Sequence, residues 1–226
     1  MNYINSTAIT TIDTTGIRDF FRDVFMRMTA ALTISAVTAG LASMMPFLYT
    51  GGILTWLIIL SPLAFILAMS FGSEKFSTNT LILLFLGFAV AQGLSMGSIF
   101  LVYTGASIIT AFLVAAGVFA TFAVIGYTTK KDLTSMGTFL FVGLIGIVIA
   151  SVVNIWLALP VLAQVINVLA VIIFTGLTAY DMQKLKEIYY SGSDDGKIRT
   201  LGALTLYLDF INIFLALLQL FGSKRD

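Results

Sequence analysis

Two aspartates stand apart from the rest of this chain. It has eleven acidic residues, and nine of them lie in segments that water can reach. Asp13, Asp19 and Asp23 precede the first apolar run, Glu74 and Asp132 lie in links, Glu187, Asp194 and Asp195 lie in a longer link, and Asp226 ends the sequence. Asp181 and Asp209 remain, and both belong to apolar runs. Asp209 sits about nine residues into its run, on the order of 12 Å deep at the helical rise. Asp181 sits at the end of the preceding run, next to the same link, so the two acids enter the membrane from one side. Thr205, Asp209, Asn212, Ala216 and Gln219 recur at spacings of four and three, a single helical face. Asn167, Val171, Phe174, Thr178 and Asp181 repeat the pattern on the preceding run. The candidate site is therefore the pair Asp181 and Asp209, supported by the polar side chains Thr178, Tyr180, Thr205, Tyr207 and Asn212.

Lipid-facing carboxylates are costly, so two polar stripes on helices joined by one link are expected to face each other. Two adjacent buried carboxyls cannot easily both ionise. They share a proton and titrate as a unit. The chain contains no His and no Cys. Histidine triads, haem ligation, imidazole metal sites, thiolate chemistry and disulfides are all excluded, which leaves proton chemistry to carboxylates, Lys or Tyr. A plainer reading makes Asp209 a buried acid paired with a Lys or Arg, or a cap on a neighbouring helix end.

The elements that must position these residues are membrane spans. The chain of 226 residues is 59% hydrophobic and 10% charged, with a mean hydropathy of +1.03. Soluble domains carry roughly a quarter charged residues, so the solvent for this surface is lipid. A span needs about 20 apolar residues. Seven segments qualify: 26–47, 53–72, 79–102, 106–127, 136–158, 161–182 and 201–221. Backbone satisfaction in lipid, and the absence of strict alternation, make them helices. Residues 1–23 read as a polar tail leading into an amphipathic stretch near Phe20–Phe25, with no signal-peptide pattern. Residues 24–222 read as one seven-helix domain, and 223–226 as a short C-terminal tail.

Ten of the twelve Lys and Arg residues fall on one side of this arrangement. They are Arg18, Arg22 and Arg27 in the tail and first-span edge, Lys75 in the second link, Lys130 and Lys131 in the fourth, and Lys184, Lys186, Lys197 and Arg199 in the sixth. By the positive-inside rule the N-terminus is cytoplasmic, and seven spans then place the C-terminus outside. A net charge of +1, with no basic patch interleaved with aromatics, gives no reason to expect nucleic acid as a partner. Gly93 and Gly97, and separately Gly143, Gly146 and Ala150, form small-residue stripes suited to close helix packing. Pro160 suits a tight helical hairpin. Pro62 frees a carbonyl inside the second span and is expected to bend it.

The sequence resembles the transmembrane Bax inhibitor motif family, also called the Bax inhibitor or lifeguard family, and its bacterial members in particular. The strings that carry the likeness are Gly126-Tyr127-Thr128-Thr129-Lys130-Lys131-Asp132-Leu133, Gly143-Leu144-Ile145-Gly146 through Ala150-Ser151-Val152-Val153-Asn154, Gly176-Leu177-Thr178-Ala179-Tyr180-Asp181-Met182-Gln183-Lys184, and Gly202-Ala203-Leu204-Thr205-Leu206-Tyr207-Leu208-Asp209-Phe210-Ile211-Asn212. The likeness covers nearly all of the chain after residue 20. It implies an all-α integral membrane protein of seven transmembrane helices with the last helix central, in the bacterial inner membrane. It implies a pH-sensitive calcium leak, gated by a proton-sharing aspartate pair that falls here on Asp181 and Asp209. Calcium would then be the permeant or bound ion, with oxygen ligands from those two acids, and no other cofactor is expected. Some bacterial relatives pair the dyad with an arginine at the inner end of the second helix. In this chain the nearest basic residue there is Lys75.

Other functions compete. One is a non-enzymatic regulator that binds membrane-protein partners, in stress protection or protease modulation. Proton-coupled transport is another. Intramembrane aspartyl proteolysis matches Tyr180-Asp181, but Leu206-Tyr207-Leu208-Asp209 lacks the glycines that let a substrate backbone approach the acids. The chain is therefore expected not to be an enzyme.

Overall fold

The apolar runs become helices because lipid offers backbone groups no alternative partner. The computed structural model describes the backbone of residues 4–225 and the side chains of residues 15–225. It contains α1 (Ile4–Ser43), a short 3-10 turn (Pro46–Tyr49), α2 (Ile53–Gly72), α3 (Thr78–Val102), α4 (Gly105–Thr128), α5 (Thr134–Leu157), α6 (Pro160–Tyr190) and α7 (Gly196–Phe221). All seven helices are long and apolar enough to cross a membrane. Asp13 and Asp226 lie outside the described side chains.

α7 is the hub. It packs against α1, α3, α4 and α6, while α2 rides on α3 and α5 rides on α6. Within the most apolar stretch of α7, 72% of residues are buried, against 11–33% for the other helices. This agrees with the central last helix expected above. The remaining apolar surface faces outward, as it must in a lipid solvent.

Local chemistry sets the helix ends. Ser77, Thr104 and Asp195 are extended residues whose side chains accept the first orphan N–H groups of α3, α4 and α7. The α5–α6 hairpin is tight. Ala158 takes the left-handed conformation (φ 48°), the Asn154 side chain accepts the Leu159 N–H at 3.0 Å, and Pro160 opens α6.

Three expectations need correction. The tail over residues 1–23 is helical from Ile4 onward, continuous with the first span. Ile17, Phe20, Phe21 and Val24 are buried at a helical spacing, so this segment has a core-facing stripe of its own. α6 also outruns its expected end at residue 182 by two turns, and α7 begins five residues before 201, which shrinks the sixth link to 191–195. Of the small-residue stripes, Gly93 and Gly97 do seat other helices: a Cβ on Gly93 would meet the Ser35 carbonyl oxygen at 2.5 Å, and one on Gly97 would meet the Ala42 Cβ at 2.8 Å. In the second stripe a Cβ on Gly143 would meet the Ile173 Cδ1 of α6 at 3.2 Å, whereas one on Gly146 would meet nothing within 4 Å among the described residues.

Pro62 sits inside α2. The carbonyl it frees, that of Ile58, accepts from the Ser95 hydroxyl of α3 at 2.6 Å and from Ser61 at 2.8 Å. A proline in lipid is tolerated because a neighbouring helix resupplies the lost donor.

Candidate functional site

The antiparallel α6–α7 pair brings Asp181 and Asp209 into side-chain hydrogen-bonding contact. Asp209 is 3% exposed, and its Oδ2 has no hydrogen-bond partner among the described residues. Among the described residues no Lys or Arg pairs with it, and the group that acts on it is Asp181. Asp181 is less enclosed. It lines a pocket of about 200 Å³ between α6 and α7, together with Lys184, Leu185, Ile198, Gly202 and Thr205. This pocket runs from Asp181 toward the 191–195 link, at the end of the bundle that carries the basic residues.

The supporting residues divide into two groups. Thr178 is fully buried and donates to the Phe174 carbonyl at 2.8 Å. Thr205 donates to the Leu201 carbonyl at 3.1 Å, and Asn212 to the Leu208 carbonyl at 2.7 Å. Each satisfies itself within its own helix and leaves the two acids to one another. The tyrosines turn away from the pair. Tyr207 is buried, shares a 2.7 Å hydrogen bond with Ser35 of α1 and meets Phe88 edge-on at 5.2 Å. Tyr180 lies against Gly137 of α5, with the Lys184 ammonium 5.7 Å from its ring centroid. The stripes themselves do face each other: at the far end Asn167 donates to Gln219 at 3.4 Å.

Lys75 is exposed in the α2–α3 link and forms no ion pair among the described residues. The cation that acts on Asp181 is Lys184, three residues along its own helix. Sequence reasoning assigned Lys184 only to a positive link, because the extension of α6 was not visible.

Two further clusters brace the α6–α7 hairpin. Gln183 is buried; its Oε1 accepts the Leu133 N–H at 2.8 Å, and its Nε2 donates to the Lys131 carbonyl at 2.8 Å. One amide thereby holds the whole α4–α5 link. The start of α7 is tied to α1. Arg27 donates to the Gly196 carbonyl at 2.8 Å, to the Thr200 hydroxyl and to Asp23 at 2.9 Å. Arg199 reaches Asp23 at 3.3 Å and grips Asp194 with two donors at 2.7 and 2.8 Å. The guanidinium holds the Asp194 carboxyl below the usual aspartate range.

Six spans arranged about a central seventh, with Asp209 buried and Asp181 half-buried where α6 and α7 meet, define a polytopic membrane protein with an intramembrane carboxyl dyad. The sequence profile of the family described as inhibitor of apoptosis-promoting Bax1 matches residues 17–226, and the chain belongs to this Bax inhibitor family. It is 42% identical to the inner membrane protein YbhL of Escherichia coli over 219 residues, covering 93% of this chain and 94% of YbhL. It is 38% identical to a protein of Caulobacter vibrioides over 227 residues, covering 93% and 91% of the two chains. It is 31% identical to a membrane protein of Streptococcus pyogenes over 236 residues, covering 98% and 100%.

Proposed function

We propose that this protein is a pH-sensitive calcium leak channel of the bacterial inner membrane, gated by a proton shared between Asp181 and Asp209. The observation that carries the reading is the buried contact between two carboxyls from separate helices with no cation against Asp209. Such a pair holds together through a shared proton, and its loss sets two like charges against each other in a low dielectric. α6 and α7 are then pressed apart at the point where they meet. The pocket at Asp181 supplies a route for the proton from the basic end. That end faces the cytoplasm on the positive-inside rule, with the N-terminus inside and the C-terminus outside.

Calcium enters as cargo. It favours six to eight oxygen ligands. Among the described residues no cluster of three or more His, Cys, Asp or Glu could hold a metal ion. Two carboxylates make a weak station, which suits passage, because a permeant ion must also leave.

The test is calcium influx into dye-loaded liposomes containing the purified protein, from about pH 5.5 to about pH 8, for wild type, Asp181→Asn and Asp209→Asn. A 1.4 kcal/mol change in gating is about tenfold in flux, and each substitution is expected to change the flux by at least about that much and to flatten its pH dependence. Influx equal to that of protein-free liposomes at every pH removes the channel reading and favours a regulator that acts through membrane-protein partners.

A further inference from the structure

On the basic side of the bundle a groove of about 290 Å³ opens between α1, α4 and α6. Phe25, Ala123 and Val124 wall its inner part, and Arg18 and Tyr127 stand at its outer part. The depth order follows from chain direction. α1 leaves the basic end as α4 arrives at it, so Arg18 and Tyr127 lie toward that end and Phe25 and Ala123 lie deeper. Arg18 and Phe25 are separated by about 10 Å along the helix. Phe21 and Tyr127 pack edge-on at 5.3 Å. The Lys186 ammonium lies 5.1 Å from the Tyr127 ring centroid and donates to the Tyr127 carbonyl at 2.9 Å, which adds positive charge to this wall.

Arg18 and Arg22 are one turn apart and both exposed. Among the described residues neither joins an ion pair, whereas Arg27 and Arg199 do. Of the two acids nearby, Asp23 is already held by those two arginines, and Asp19, exposed beside Arg18 in sequence, joins no ion pair among the described residues. Val124 is 61% exposed, so the inner wall faces hydrocarbon. The groove is thus apolar where acyl chains lie, its outer end carries the Arg18 guanidinium at the level of the headgroups, and Arg22 stands one turn along α1 beside the lining. Arginine forks match phosphate oxygens, and basic pockets between spans favour anionic headgroups.

We infer that this groove is a binding site for an anionic phospholipid of the surrounding bilayer, with an acyl chain between Phe25 and Val124 and the phosphate against Arg18 and Arg22. The site is separate from the acid pair and independent of the leak reading.

The experiment is thermal unfolding of the detergent-purified protein titrated with dioctanoyl phosphatidylglycerol or with dioctanoyl phosphatidylcholine. Phosphatidylglycerol is expected to raise the melting temperature at the lower concentration. The double variant Arg18→Gln/Arg22→Gln should need roughly fivefold more phosphatidylglycerol for each arginine removed. Lys75→Gln, away from the groove, should leave the titration unchanged. Val124→Trp fills the groove from an exposed position and should abolish the phosphatidylglycerol response with both arginines in place. Equal responses to the two lipids overturn the inference, as does a phosphatidylglycerol response that survives Val124→Trp. So does inorganic phosphate reproducing the shift, or Lys75→Gln weakening the response as much as the loss of an arginine.

Discussion

Gly126 offers the sharpest test of how the acid pair is positioned. It lies in α4 where that helix crosses α6, and a Cβ built on it would meet the Ala179 carbonyl oxygen at 2.1 Å and the Ala179 Cα at 2.7 Å. Both are backbone atoms, so no side chain can rotate out of the way. Relief requires the two helices to separate by about 1 Å to restore ordinary contact. Overpacking of this kind costs about 1–3 kcal/mol, against which Gly→Ala in a helix gains up to about 1 kcal/mol of propensity. Gly146 of α5 supplies the control, since its Cβ would meet nothing within 4 Å. Gly146→Ala is expected to be neutral or to stabilise by a few tenths of a kcal/mol up to about 1 kcal/mol. Gly126→Ala should lose about 1–3 kcal/mol relative to it, because the propensity gain is common to both. Thermal unfolding of the two variants in the same detergent reads the difference directly. Ala179 is two residues from Asp181, so the separation also moves that carboxyl relative to Asp209, and calcium flux in liposomes should change in Gly126→Ala alone. Equal melting temperatures for the two variants would refute the crossing geometry. A lower melting temperature for Gly126→Ala with unchanged flux would separate the crossing from the acid pair.

Other perturbations follow from single contacts. Ser95→Ala removes the interhelical donor to the Ile58 carbonyl but leaves Ser61; it should destabilise by about 1 kcal/mol, measured by thermal unfolding. Gln183→Ala strips both bonds that hold the α4–α5 link; hydrogen exchange at Leu133 should rise roughly tenfold or more, at about 1–3 kcal/mol of lost protection. Asp194, held below the ordinary aspartate value of 3.8 by Arg199, contributes stability that is complete above that value and is lost as pH falls through the lower folded-state value. Asp194→Asn should therefore destabilise at neutral pH and converge on wild type once the pH falls below the lowered folded-state value, as read by melting temperature against pH.

The spans were legible because hydrocarbon imposes a length and a composition that few other environments require, and α2 and α3 begin and end within a residue of the expected bounds. The acid pair was legible by elimination, since every other carboxylate had a wet segment to occupy. The helix extensions were not. Residues 183–190 hold Gln, Glu and two Lys, and residues 196–200 hold Lys and Arg, which read as a solvated link, yet these are also strong helix formers. They remain helical because Gln183, Lys186, Arg199 and Thr200 find partners on the α4–α5 link, α4 and α1. The α1 extension did carry a signal: Ile17, Phe20, Phe21 and Val24 recur at spacings of three, one and three, an apolar stripe interrupted by charges on the other face. The orientation of Tyr180 and Tyr207 carried none. A helical position fixes the side of the helix, but which neighbour occupies that side is settled only when the helices are arranged around α7.

The central place of α7 also orders the assembly of the bundle in time. It is the seventh helix to leave the ribosome, and four of the other six pack against it. The faces that α1, α3, α4 and α6 turn inward are covered by α7, which buries Ala203, Leu206, Phe210 and Ile213 there, and Asp181 gains the second carboxyl only once α7 is in place. Insertion of the first six helices and closure of the bundle are therefore separate events, and the protein acquires its interior and its acid pair in a single late step. A lesion in the last helix would empty the middle of the molecule, whereas one in α5, at the rim, would leave that interior standing.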